Sequence, residues 1–475
     1  MSKVIENPRS GCVLHGALQT VQEIKGAIPV VHANAGCGVI NQLVDSKSTS
    51  VASGVSGVGI PGTVAQERHV IFGGASRLRE QIKNTAKIIN GELFVILNSC
   101  ESAMVGDDVD AMTREIVEQG EPVVDTLGAG FNGNAYQGYE NVLVDILKGI
   151  PGIKNVEEEK DTKLINIFGI VPYKDVYWQG NLEEIKRIFE AVGLKVNLFF
   201  GTFGGVQDLV DAYKASASIV FSRWGEAPAK FLNDKANIPV LNVDTLPVNV
   251  DEEEKLLRSV SQYAEVSEED VDAFIEQERD YQNSFISQVV AARNKNDLSK
   301  RVVIIGDEEQ SYRYAKILND YFAAEVASIV IVDAKAKDEL HERNNSDILN
   351  DLAEKVYYSQ DKKEIEGIIK SSNAELILGS SLEKGLEEKL NIPLLEVSYP
   401  IYHSFILNRA SVGTRGVLAF VENYESRIEK YEDAEKTSLI SSFKSLKAED
   451  KWIDISQRGI VSKDLSASRR KQLYN

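Results

Sequence analysis

Short apolar runs rich in β-branched residues alternate along this chain with longer stretches whose apolar side chains fall at helical spacing. Leu93–Leu97, Leu164–Phe168, Val196–Phe200, Pro239–Leu241, Val302–Ile305, Ile329–Val332 and Leu376–Leu378 each read as a short buried strand. Leu182–Val192 and Tyr312–Ala324 read as helices between them. A strand that is apolar on both faces needs cover on both faces. Strand–helix–strand repetition supplies that cover by building parallel sheets flanked by helices. An earlier run, Ile28-Pro29-Val30-Val31, ends at His32, and Pro29 is expected to limit how far it pairs. At 475 residues the chain is too long for one hydrophobic core. The charged run Glu157–Asp161 and the polar stretch at Asn294-Lys295-Asn296 read as breaks. The expected fold is therefore α/β: three Rossmann-like domains at about 1–158, 159–298 and 299–475, the last with C-terminal helices.

Composition narrows the class. Hydrophobic residues make up 43% and charged residues 26%, as in a soluble globular protein. No run of about 18 apolar residues occurs, so no membrane span is expected. The start, Met1–Pro8, lacks the apolar core of a secretory signal, and a cytoplasmic location is expected. A net charge of −19 repels nucleic-acid phosphate and anionic lipid, so neither is an expected partner.

Three cysteines occur, all within the first 100 residues. An odd number in a reducing compartment argues against a disulfide framework. Buried inert thiols, a catalytic thiol and metal ligation remain open. Cys12 lies in Ser10-Gly11-Cys12-Val13-Leu14-His15-Gly16 and Cys37 in Asn34-Ala35-Gly36-Cys37-Gly38. Neighbouring glycines let a backbone approach a bulky inorganic group. Cys100 follows the strand at Leu93–Leu97, where open parallel sheets place their ligands. Three thiolates are one short of the usual four for a simple iron–sulfur cluster. A cluster here would sit at a subunit interface and take its remaining ligands from another chain.

The context of these cysteines resembles nitrogenase component 1, the family of the molybdenum–iron protein α and β subunits and their paralogues. Ser99-Cys100-Glu101-Ser102-Ala103-Met104-Val105-Gly106-Asp107-Asp108 resembles the family's Thr-Cys-x-x-x-x-Ile-Gly-Asp-Asp motif, the most specific of the set. Pro29–Cys37 resembles its His-Gly-x-x-Gly-Cys segment, with His32-Ala33 in place of His-Gly. Glu67–Gly74, Gly138–Asn141, Leu378–Ser381 and Tyr399–Tyr402 are similar to further segments in the same order. By position, Cys12, Cys37 and Cys100 match the three cysteines that each of two paired subunits contributes to the eight-iron P-cluster. The step of 25 residues from Cys12 to Cys37 resembles the β-type spacing.

The α-type subunit also holds an active-site metal cofactor through a cysteine and a histidine. This chain has no cysteine after Cys100, and Glu396-Val397-Ser398-Tyr399 stands where the α-type histidine would fall, with His403 slightly later. The resemblance therefore implies a β-like subunit, or a paralogue without the cofactor site. With Cys12 so near the start, the long N-terminal extension of many β subunits is not expected. Such a subunit, with no catalytic residue of its own, is expected in an α2β2 complex with an α-like partner. An ATP-dependent iron protein would deliver electrons for reduction of dinitrogen or another small molecule. The alternative it implies is a scaffold subunit for cofactor assembly carrying a four-iron cluster.

Other candidates read less sharply. Gly57-Val58-Gly59-Ile60-Pro61-Gly62 matches Gly-x-Gly-x-x-Gly, but Pro61 sits badly for the helix that a dinucleotide site needs, so a loop is expected. No Gly-x-x-x-x-Gly-Lys-Ser/Thr loop occurs, which assigns ATP hydrolysis to a partner. His15 and His32, near the cysteines, are expected to be satisfied core residues with a cluster-tuning role as the alternative. His69 and His341 are expected at the surface or in packing. Asp107-Asp108 is expected to open a helix, and Ser99 is a weak candidate for an extra ligand.

Overall fold

The computed structural model describes residues 9–38, 60–126, 128–151, 160–202, 204–243, 245–295, 298–333 and 345–449. Gly57 and Gly59 of the glycine motif, Glu157–Glu159, Asn296 and His341 lie outside the described residues.

Among the described residues, twelve strands form three sheets: β1 Ala27–His32, β2 Leu93–Asn98, β3 Val123–Thr126, β4 Asp161–Phe168, β5 Lys195–Asn197, β6 Ala215–Val220, β7 Val240–Asn242, β8 Arg301–Gly306, β9 Glu325–Ile331, β10 Val356–Tyr358, β11 Leu376–Gly379 and β12 Leu394–Glu396. Their orders are β1-β2-β3, β5-β4-β6-β7 and β10-β9-β8-β11-β12. Every pairing is parallel. The third order is that of a doubly wound sheet, with its reversal between β8 and β11. The described residues up to Glu425 belong to one compact unit, and those from Ser426 on are helical.

The expected α/β class with parallel sheets is the observed one, and its exceptions have local causes. β1 pairs with β2 along its whole length, from Ala27 to His32, despite Pro29. Val31, two residues on, sends its N–H outward to Pro61 at 2.8 Å. Alternation along the strand places the missing N–H of Pro29 on that same outer side, so the ladder to β2 loses nothing. β5 stops at Asn197, short of the expected Phe200, and Phe199 takes a left-handed φ of 65° that no strand continues.

Two glycines set the closest helix crossing. The helices Val13–Gln22 and Ala135–Gly149 meet with their backbones in contact. A Cβ on Gly16 would lie 1.8 Å from the Ala135 carbonyl oxygen, and one on Gly138 would lie 2.1 Å from that of Val13. Arg9, just before the first helix, is buried and donates to Ser380 Oγ at 2.9 Å and to the Glu383 carboxylate. This pair ties the start of the described chain to the turn after β11.

Candidate metal centre

The three cysteines arrive from three local structures. Cys12 is the residue before the helix Val13–Gln22, at φ −96° and ψ 173°. Cys37 lies in a helical turn over 35–38, just past the carboxyl end of β1. Cys100 opens the helix Cys100–Val105 past the carboxyl end of β2, with Ser99 as its cap. β1 and β2 are neighbours in register, His32 opposite Asn98. Adjacent parallel strands therefore deliver Cys37 and Cys100 to the same edge of the sheet. Asn34 fastens the two turns together: its side chain accepts from Gly36 N at 2.8 Å and donates to Glu101 at 2.9 Å.

Gly130, in the segment after β3, closes the arrangement. A Cβ built on it would lie 2.8 Å from Cys100 Sγ and 3.2 Å from Cys12 Sγ. The two sulfurs are thus no farther apart than the sum of those distances. The backbone can approach both only because residue 130 has no side chain. A bridge between Cys12 and Asn134 holds the same loop.

His15 joins Cys12 to Cys37. Its Nδ1 lies 3.3 Å from Cys12 Sγ and its Nε2 3.4 Å from the Cys37 carbonyl oxygen. Burial pushes the Cys12 thiol upward, but the hydrogen bond and charge of His15 outweigh it, and the net shift is downward. The reciprocal contact with Cys12 raises His15 against its own burial. Cys12 also sits at the positive end of a helix, which favours a thiolate. Burial raises the Cys37 thiol, and the negative charges of Cys12 and Cys100 raise it further. Three half-buried, free thiols, one of them biased toward thiolate, form a soft donor set suited to iron–sulfur ligation.

The remaining expectations separate here. His32 is a satisfied buried residue: its Nδ1 pairs with Thr63 Oγ1 at 3.1 Å and its Nε2 with Asp107 at 3.0 Å. Burial lowers its pKa despite that carboxylate. Asp108 caps the helix Val109–Glu118 through Ala111 N at 3.0 Å, the helix-opening role expected of the pair. Asp107 instead clasps His32 and Gly74 N. Ser99 is buried in its own cap, bonded to Ser102. His69, half-buried, accepts from Gln66 N at 2.9 Å. Gly130, Gly16 and Gly138 carry the geometry, and reading the residues around the cysteines did not single them out for it. The signal for Gly130 was a glycine-rich segment after a strand.

Large apolar side chains are exposed on the segments next to Cys100 and Gly130. The helix Glu67–Phe72 buries none of its residues and packs beside the helix Cys100–Val105. Phe72 is 85% exposed, Met104 80% and Phe131, next to Gly130, 62%. Large exposed apolar side chains clustered on one face mark a protein–protein contact.

The family profile described as nitrogenase component 1 type oxidoreductase matches residues 12–429, a span that begins at Cys12. The chain belongs to that family. It is 24% identical to the nitrogenase molybdenum–iron protein beta chain of Methanococcus maripaludis, over 91% of this chain and 96% of that relative. It is also 24% identical to the corresponding alpha chain of Methanothermobacter thermautotrophicus, over 86% of this chain and 85% of that one. The solved structure of nitrogenase Cp1 at pH 6.5 superposes with a TM-score of 0.76 at 20% identity, covering 90% of this chain and 94% of that one.

This member of the nitrogenase component 1 family has a second polar region, a narrow cleft at the carboxyl ends of β4, β6, β8 and β9. No cysteine or histidine is among its described lining residues. Trp224 stacks on Tyr136 with centroids 5.3 Å apart and donates to Asp333 at 2.7 Å, and Tyr136 Oη donates to Asp307 at 3.3 Å. Burial holds the Asp307 carboxyl well above the usual range, and the charges of Asp333 and Glu309 add to it. Burial also raises Asp333, against its Trp224 hydrogen bond and Arg223. A carboxyl with a raised folded pKa contributes stability that is complete below its unfolded pKa and lost as pH rises through the folded one. Asp307→Asn removes that loss. As pH rises above the ordinary aspartate range, the urea midpoint of the parent should fall more steeply than that of Asp307→Asn. Equal slopes in the two proteins would refute a raised Asp307.

Proposed function

We propose that this chain is a β-like component 1 subunit in which Cys12, Cys37 and Cys100 supply half the ligands of an iron–sulfur cluster shared with an α-like partner. The observation that carries this reading is the convergence of the sulfurs at a surface rimmed by exposed Phe72, Met104 and Phe131. The bound cluster would relay electrons from an ATP-dependent iron protein to a metal cofactor in the partner, for reduction of dinitrogen or another small molecule. The chain's own residues perform the holding. His15 favours the Cys12 thiolate, the Asn34–Glu101 contact fixes the Cys37 turn against Cys100, and Gly130 leaves room beside the Cys12 and Cys100 sulfurs.

The cleft beneath β8 supports placing the cofactor in the partner. Its lining is acidic and aromatic, a donor set unsuited to a soft metal cluster. His403 is engaged with Glu396 at 2.8 Å rather than facing that cleft. The three separate sheets support a division into α/β domains near residues 158 and 298. An α2β2 assembly in the cytoplasm completes the proposal.

Anaerobic co-purification with the partner subunit, followed by iron and acid-labile sulfide counting and EPR, tests it. An interface cluster of about eight irons per heterodimer is the expected result. About four irons, with one matching cysteine in the partner, would mean the assembly scaffold instead. A complex free of iron would refute ligation altogether.

A further inference from the structure

Away from the cysteines, three glutamates from three helices meet in the interior. Glu184 lies on the helix Trp178–Ala191, Glu253 on Val250–Val260 and Glu278 on Glu268–Lys295. They are 7%, 0% and 1% exposed. One carboxylate oxygen from each lies within 4.8 Å of one from both others. Arg187 donates to both oxygens of Glu184, at 2.9 and 2.7 Å, and to both oxygens of Glu278, at 2.8 and 3.0 Å. Arg415 adds a looser contact to Glu278 at 3.8 Å. Glu253 is held from the other side, where Thr414 donates its backbone N–H and its hydroxyl to Oε1 at 2.7 and 3.2 Å. Glu253 Oε2 is buried and has no hydrogen-bond partner. A buried carboxylate oxygen with nothing opposite it is costly and calls for an explanation.

We propose that Glu184, Glu253 and Glu278 form a divalent-cation site of the calcium class, with Glu253 Oε2 as the ligand the fold leaves free for the ion. Carboxylate oxygens are hard donors, and calcium–oxygen bonds of about 2.3–2.6 Å allow ligands on opposite sides of the ion to lie nearly twice as far apart. The 4.8 Å limit on the three oxygens falls within that span. Arg187 orients two of the ligands from outside and Thr414 the third, as ligating carboxylates commonly are oriented. The chain crosses the site at Gly413, whose φ is +66° and where a Cβ would lie 2.7 Å from Glu184 Oε1. Magnesium keeps several waters and fits so dry a site poorly. The competing occupant is a proton on Glu253, whose carboxyl burial raises to about 7. A proton would neutralise one charge but would not link the three helices to the start of the helix Gly413–Glu449.

The test is thermal melting of the full chain, stripped with chelator and titrated with calcium chloride at neutral pH. The melting temperature should rise by at least about 2 °C at saturation, reversibly with EGTA. Equimolar magnesium chloride should give far less. Glu253→Gln keeps the Thr414 contacts, removes the buried charge, and should melt no lower than the calcium-free parent while losing the calcium response. The parent titration needs no variant, so it decides even where Glu253→Gln fails to fold. A parent that does not respond to calcium overturns the proposal, as does an equal response in Glu253→Gln. Stabilisation on acidification through about pH 7 without a calcium response overturns it in favour of the proton.

Discussion

Cys100→Ala, purified anaerobically with its partner subunit, should retain no more than about half the parent iron and should run as separated subunits on gel filtration. The chain itself should stay folded. Cys100 is half-buried at the first position of a short helix, and the cap beneath it is made by Ser99 and Ser102, not by the thiol. Loss of one small side chain there costs on the order of 1 kcal/mol. The effect on iron is larger because the thiols act as one donor set. Cys100 and Cys12 flank Gly130, and their charges together raise Cys37. Cys37→Ala should therefore lose iron to a similar extent, although it sits in a different turn. Inert, independently packed cysteines would instead give variants with unchanged iron and spectra. An intact heteromer of Cys100→Ala with full metal would end the assignment.

The class of fold was legible because buried parallel strands carry their own mark. The runs at Leu93, Leu164, Val302, Ile329 and Leu376 all became strands, and Cys100 fell past a strand end as expected. What was illegible depended on partners distant in sequence. β6, Ala-Ser-Ala-Ser-Ile-Val, has few strand-favouring side chains; its place between β4 and β7, with Ala215, Ala217 and Ser218 buried, makes it a strand. Pro29 read as an obstacle because nothing local says which edge of a strand its missing N–H will face. The cysteines could be listed from sequence, but the approach of Cys12 and Cys100 to Gly130 joins three segments distant in sequence. Glu184, Glu253 and Glu278 read as ordinary helical charges, and only packing shows that they share one interior point.

The second large effect is expected at Gly138, which touches neither sulfur nor solvent. The helices Val13–Gln22 and Ala135–Gly149 cross so closely that an alanine Cβ at residue 138 would lie 2.1 Å from Val13 O, 2.7 Å from Ala17 N and 3.0 Å from Gly16 Cα. These neighbours are backbone atoms of a helix, so no side-chain rotation relieves the clash. The helices must separate, giving up buried contacts of Val13, Ala17, Tyr139 and Val142. Gly138→Ala should therefore cost about 3 kcal/mol, at the high end for an added methyl. The same displacement reaches the metal centre. Cys12 immediately precedes Val13, so moving that helix carries its sulfur away from Gly130 and Cys100. Iron content should fall at temperatures where the variant is still folded. Gly367→Ala provides the contrast: residue 367 is exposed within the helix Lys362–Ser371 and a Cβ there meets nothing within 4 Å. That change should stabilise by about 0.5–1 kcal/mol through helix propensity and leave iron unchanged. Should Gly138→Ala melt with the parent and hold full iron, the crossing would not be what positions Cys12.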